Sequence, residues 1–133
     1  MRYVVLDTDV ASRVIKRQLG YPLAARLTGV TLCVTFVTVG ELWQWATTRS
    51  WGPRTREELE QWLGRMVVLN PDDATSRAWG RISAAARRRG RTRPANDSWI
   101  AASCLVHRFP LATFNIKDFK DFAEHEGLTL ITP

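Results

Sequence analysis

Short apolar runs rich in β-branched residues recur along this 133-residue chain, separated by longer segments whose apolar residues repeat at helical spacing. The runs are Tyr3 to Leu6, Thr31 to Val34, Met66 to Leu69, Leu111 to Phe114 and Leu128 to Ile131. Their length and composition suit strands buried on both faces. Helices are expected from Thr8 or Asp9 onward, over Pro22 to Leu27, Thr38 to Thr47, Thr55 to Arg65 and Ala74 to Arg89, and from Asn96 or Asp97 through Val106. Thr38 with Glu41 matches a capping box, which puts Glu41 in the first turn of its helix. Strands that alternate with helices pair in parallel, because parallel neighbours need a crossover and the crossovers are right-handed. The expected fold is therefore α/β: a single domain over residues 1–133, with a mainly parallel sheet of about five strands covered by helices on both faces. In such sheets ligands bind beyond the carboxyl ends of the strands.

Composition excludes several classes. Apolar residues make up 45% and charged residues 24%, an ordinary globular mixture. The longest apolar-rich stretch, Val30 to Ala46, is broken by threonines, Gly40 and Glu41, so it falls short of the ~20 residues a membrane span needs. Asp7 interrupts any apolar core of a secretory leader, and a cytoplasmic protein without a membrane partner is expected. Cys33 and Cys104 each sit in an apolar run with no second ligand at zinc spacing, so free buried thiols are expected. The two histidines, His107 and His125, stand alone and suit helix ends or surface. A net charge of +6 favours an anionic partner without naming one.

Of the 13 acidic residues, three stand where a solvated charge has no reason to be. Asp7 follows Val4-Val5-Leu6, Glu41 precedes Leu42-Trp43, and Asp97 precedes Ser98-Trp99-Ile100-Ala101-Ala102. Any one alone could be a helix cap. A fourth group, Asn115 with Asp118, follows the strand ending near Thr113 and adds oxygen ligands at a strand's carboxyl end. Several carboxylates gathered at one sheet edge repel one another unless a hard divalent cation such as magnesium or manganese compensates them.

These segments resemble the motifs of PIN-domain nucleases. Leu6-Asp7-Thr8-Asp9-Val10 is similar to the opening motif, Thr38-Val39-Gly40-Glu41-Leu42 to the second, and Pro94-Ala95-Asn96-Asp97-Ser98-Trp99-Ile100-Ala101-Ala102 to the third. Thr113-Phe114-Asn115-Ile116-Lys117-Asp118-Phe119 is similar to the fourth, and the resemblance runs from residue 3 to about residue 131. It implies a three-layer α/β/α sandwich that binds Mg²⁺ or Mn²⁺ and hydrolyses RNA, tRNA or rRNA being expected, to 5′-phosphate and 3′-hydroxyl products. Short members are mostly VapC toxins, homodimers held inactive by a VapB antitoxin. Carried onto this sequence, Asp7 and Asp97 would hold a metal directly. Glu41 and Asp118 would hold a second metal or metal-bound waters, and Asn115 would ligate or orient. Position 9 is Asp where the motif usually has Asn, so this acid either approaches the site or caps the helix.

Arg87, Arg88, Arg89, Arg91 and Arg93 crowd just before the Asp97 motif, more cations than one helix end requires, which points to phosphate binding. Of the tryptophans at 43, 45, 51, 62, 79 and 99, most fit apolar helical faces, and Trp51 beside Gly52-Pro53 is the one expected to be exposed. Trp43 to Trp62 offers apolar surface for a dimer or antitoxin. Two rivals stand beside the nuclease reading. Asp7-Thr8-Asp9 is also similar to haloacid-dehalogenase-like phosphatases, though Ala11 stands where that motif has Thr; the other rival is a non-catalytic RNA-binding domain of the same fold.

Overall fold

The computed structural model describes residues 2–133. Among them the strands are β1 (Tyr3–Leu6), β2 (Thr31–Thr35), β3 (Val67–Leu69), β4 (Leu111–Ala112) and β5 (Leu130–Ile131). The helices are α1 (Thr8–Ile15), α2 (Tyr21–Arg26), α3 (Phe36–Thr48), α4 (Pro53–Gly64), α5 (Asp73–Arg88), α6 (Ala95–His107) and α7 (Ile116–Glu126). All pairs in the sheet are parallel, in the order β3-β2-β1-β4-β5. The chain winds outward from β1 to β3, then returns to place β4 on the other side of β1. Strand order therefore reverses between β1 and β4, where the strand tips open a crevice.

Side chains of a strand alternate between faces, and β1 serves two cores accordingly. Val5 packs with Ile82, Ala86, Ile100, Phe119 and Phe122 of α5, α6 and α7. Val4 and Leu6 pack with Val10, Leu23, Leu42, Leu59 and Trp62 of α1 to α4. A sheet between two helical layers results. No described helix is long and apolar enough to cross a membrane.

Two local expectations change. The capping box at Thr38 and Glu41 is not the start of α3: Thr35 is its N-cap, its hydroxyl accepting from the Thr38 amide at 3.3 Å, so the helix begins earlier at Phe36. Glu41 therefore lies in the second turn. Helix α7, which the sequence pattern leaves unmarked, fills the segment between β4 and β5 and buries Phe119 and Phe122.

Helix α7 is tied to the end of α5 by charge as well as by packing. Arg89 Nη2 lies 2.6 Å from Asp121 Oδ2, and its Nη1 lies 3.5 Å from Glu126 Oε2. Hydrogen bonding from Arg89, despite the opposing effect of burial, holds the Asp121 carboxyl below the usual carboxylate range. Its stabilising contribution is therefore complete above about pH 4 and is lost as pH falls through the depressed value. Asp121→Asn should flatten the dependence of Tm on pH below about 4; an unchanged acid limb would show that the pair contributes nothing to stability.

Candidate active site

Asp7 leaves the end of β1 at the crevice, and it is only 6% exposed. It is the N-cap of α1, Oδ1 accepting from the Thr8 amide at 2.8 Å. Its other oxygen accepts from Thr113 Oγ1 at 2.9 Å, across the crevice from the end of β4. Thr113 Oγ1 in turn accepts from the Asn115 amide at 2.9 Å. Burial raises the Asp7 pKa above the ordinary carboxyl value, while the bonds from Thr113 and Thr8 work against that rise. Asp7 thus caps a helix and also presents a carboxylate at the switch point.

Glu41 arrives from α3 and is held by Thr8, whose hydroxyl donates to Oε1 at 2.7 Å. Thr8 and Thr38 hydroxyls lie 3.0 Å apart. A hydroxyl has one proton, and Thr8 spends its own on the carboxylate, so Thr38 donates to Thr8. This buried relay fixes the Glu41 oxygen without any helix-capping role. Sequence pattern marks Thr8 and Thr38 only as helix-start residues and gives Thr113 no role, because what the three hydroxyls do depends on partners 30 to 106 residues away.

Asp97 lies in the first turn of α6, but the helix has no side-chain cap bond, so capping does not account for it. Its carboxyl is pushed up to about 6, first by burial and then by the carboxylates of Asp118, Asp7 and Glu41, with Arg93 opposing. The other three expected acids thus all act on Asp97. Asp118 joins from the first turn of α7. Asp9 comes too: it is exposed on α1, and Asn115 Nδ2 donates to its Oδ2 at 3.1 Å. The same amide lowers the pKa of Asp7, so Asn115 serves two carboxylates at once.

The donors are carboxylate oxygens, which suit a hard cation. Among the described residues, no three carboxylate, imidazole or thiolate groups are gathered tightly enough to enclose a metal ion. Burial raises both thiols, Cys33 to about 11, so neither is a nucleophile at neutral pH. Both are free.

The arginines divide. Arg89 is committed to Asp121 and Glu126, which removes it from the group expected to meet phosphate. Arg87 and Arg88 are exposed at the end of α5. Arg91 and Arg93 line an open hollow with Lys117 and Lys120 of α7, two cations that sequence pattern does not single out. Trp62 is buried and the other five tryptophans are half-buried, including Trp51, expected from the sequence to be exposed. Lys16 lies over the Trp51 ring at 5.9 Å and Arg49 over the Trp45 ring at 4.4 Å. Much of the expected apolar surface is thus used by the second core.

The chain is similar to proteins already known. The PIN domain family matches residues 4–131. Ribonuclease VapC4 of Mycobacterium tuberculosis is 31% identical over 110 residues, covering 80% of this chain and 81% of that protein. Ribonuclease VapC2 of Haemophilus influenzae is 27% identical over 118 residues, covering 87% and 89%. Among solved structures, VapBC-1 from nontypeable Haemophilus influenzae superposes with a TM-score of 0.84 at 24% identity, covering 98% of this chain and 97% of that one.

Proposed function

This chain belongs to the PIN domain family, and on that premise we propose that it is a Mg²⁺- or Mn²⁺-dependent endoribonuclease toxin of the VapC kind, neutralised by a VapB-type antitoxin. The observation that carries the reading is the convergence of Asp7, Glu41 and Asp118 on Asp97 at the point where strand order reverses. Relatives named Ribonuclease VapC support the activity. Solved VapBC complexes of the same fold support the partner.

Asp7 and Asp97 would hold the cation, Glu41 and Asp118 its waters or a second cation, and Asn115 orients the carboxylates it bonds. A divalent cation bound there would neutralise charge on the phosphodiester and activate water for in-line attack. The chain's own contribution is rigidity. Thr113 and the Thr8 amide fix both oxygens of Asp7, and the Thr38 to Thr8 relay fixes Glu41. The crowded acids also bar a bare RNA phosphate from entering uncompensated. With water attacking phosphorus and the 3′ oxygen leaving in line, the P–O3′ bond breaks and the leaving oxygen takes a proton, so the products are a 5′-phosphate and a 3′-hydroxyl. The 2′-hydroxyl does not attack, so no 2′,3′-cyclic species forms.

Arg87, Arg88, Arg91 and Arg93 bind phosphates of the RNA, and a homodimer is proposed through the part of the Trp43 to Trp62 region that the second core leaves accessible, where Trp43, Trp45 and Trp51 are half-buried. The decisive experiment incubates the purified chain with RNA and Mg²⁺ or Mn²⁺ and analyses the new ends. Cleavage to 5′-phosphates that stops on chelation is expected; persistent cleavage with cyclic phosphate ends would sink the reading. In the same assay, replacing Arg88, Arg91 and Arg93 with Gln should lower the salt slope of RNA binding by about 0.7 for each phosphate no longer neutralised. An unchanged slope would return these residues to ordinary surface.

A further inference from the structure

Two open hollows flank the acids, and their chemistry differs. The one lined by Arg91, Arg93, Lys117 and Lys120 also carries Asp121, which is paired with Arg89, and Glu124, and is cationic on balance. The other, about 480 Å³, lies between the start of α3 and the start of α6, and no cation lines it. Phe36 and Trp99 form its aromatic wall, their rings meeting edge to face at 5.8 Å. Trp99 is backed by Trp79, stacked at 4.9 Å, so the wall is supported from behind. Gly40 leaves the hollow open, since a Cβ there would meet nothing within 4 Å. Glu41 lines it, so the hollow borders one of the acids, and Asn96, which also lines it, directly precedes Asp97 in α6. The Gln44 and Asn96 amides are exposed and make no side-chain hydrogen bond among the described residues.

We infer that this hollow receives one unstacked nucleobase of the RNA beside the scissile phosphate and selects which base is accepted. The inference rests on the ribonuclease reading and adds the element that chooses the sequence cleaved. Electrostatics decides the occupant: with Glu41 on its border and no cation, the hollow repels phosphate but admits a neutral, flat ring. Single-stranded bases splay out against aromatic side chains and are read along their edges by hydrogen bonds. Amides, donor and acceptor together, suit those edges, and Gln44 and Asn96 are placed at the rim for that purpose. Phosphates then fall to the cationic hollow across Asp97. Phe36 and Trp99 are binding residues here, while Gln44 and Asn96 determine specificity.

The test uses the full chain carrying Asp97→Asn, so that RNA is bound and not cut. Affinities are measured for four RNA tetramers, of adenosine, cytidine, guanosine or uridine, with and without Gly40→Leu or Gln44→Ala. One tetramer should bind roughly tenfold or more tighter than the weakest. Gly40→Leu fills the hollow and, being a better helix former than glycine, should leave Tm equal or higher while cutting that preference to within about threefold. Gln44→Ala should do the same without filling the space. Equal affinities at the outset would overturn the inference, as would a preference that survives both substitutions. So would an unchanged preference accompanied by loss of antitoxin binding, which would give the hollow to a protein partner. A chain without Asp97→Asn that fails to cut RNA, while these preferences hold, would defeat the ribonuclease reading and leave the base pocket standing.

Discussion

Replacing Asp97 with asparagine is expected to abolish RNA cleavage and, at the same time, to raise the Tm of the metal-free protein at neutral pH. The loss of cleavage should exceed the roughly 10- to 100-fold that removal of an outer partner of a metal site costs. The gain in stability follows from the burial and repulsion that push the Asp97 carboxyl up to about 6. Because the folded value lies above the unfolded one, the native state binds more protons between about pH 4 and pH 6. Stability of the metal-free protein is therefore greatest on this account below about pH 4 and is lost as pH rises through about 6. Asp97→Asn removes that slope. Saturating Mg²⁺ should stabilise the unsubstituted chain, by about 2.7 kcal/mol at a hundredfold excess over Kd, and should stabilise the variant far less. Thermal melts across pH, with and without metal, check all three statements. A variant that melts several degrees lower and still cuts RNA would make Asp97 a structural residue only.

The second large effect concerns α7. Phe119, 1% exposed, is the residue after Asp118 and anchors the helix that carries it. Phe119→Ala should cost roughly 3–5 kcal/mol, a large share of the 5–15 kcal/mol typical of a whole domain. Loosening α7 also displaces Asp118, Lys117 and Lys120, so cleavage should fall with stability. Urea unfolding with an unchanged m-value and a lower midpoint would report the loss. A cost under about 1 kcal/mol would mean that α7 is not anchored by the core.

What is legible in the sequence is whatever local pattern controls. Asp7, Glu41 and Asp97 stand out because each carboxylate interrupts or adjoins an apolar segment, and solvation does not explain them. The five runs form five strands because β-branched residues buried on both faces have few alternatives. The phosphatase rival loses its ground, since the chain matches the PIN domain family over residues 4–131. Helix α7 is not legible in this way: Phe119 and Phe122, three apart, are its only fully buried apolar residues, too few to set a helical period. The sequence pattern frames α3 from Thr38, but Thr35 can cap as well, and it is Thr35 whose hydroxyl accepts from the Thr38 amide. Other features are not local at all. Nothing near Arg89 announces that it will meet Asp121, 32 residues on, rather than phosphate. Nothing near Thr113 announces Asp7.

The bond between Thr113 and Asp7 joins residues 106 apart in the chain. At a ribosomal rate of about 5–20 residues per second, the first acid of the site waits roughly 5–20 s for the residue that fixes it. Since β4 also lies beside the central strand, a nascent chain stopped before Leu111 has neither that neighbour nor the second wall of the crevice. Truncated products of interrupted translation are thus expected to be inert. For a cell that makes a nuclease able to attack its own RNA, the order of synthesis is itself a safeguard: the first acid is fixed only once Thr113 has been made.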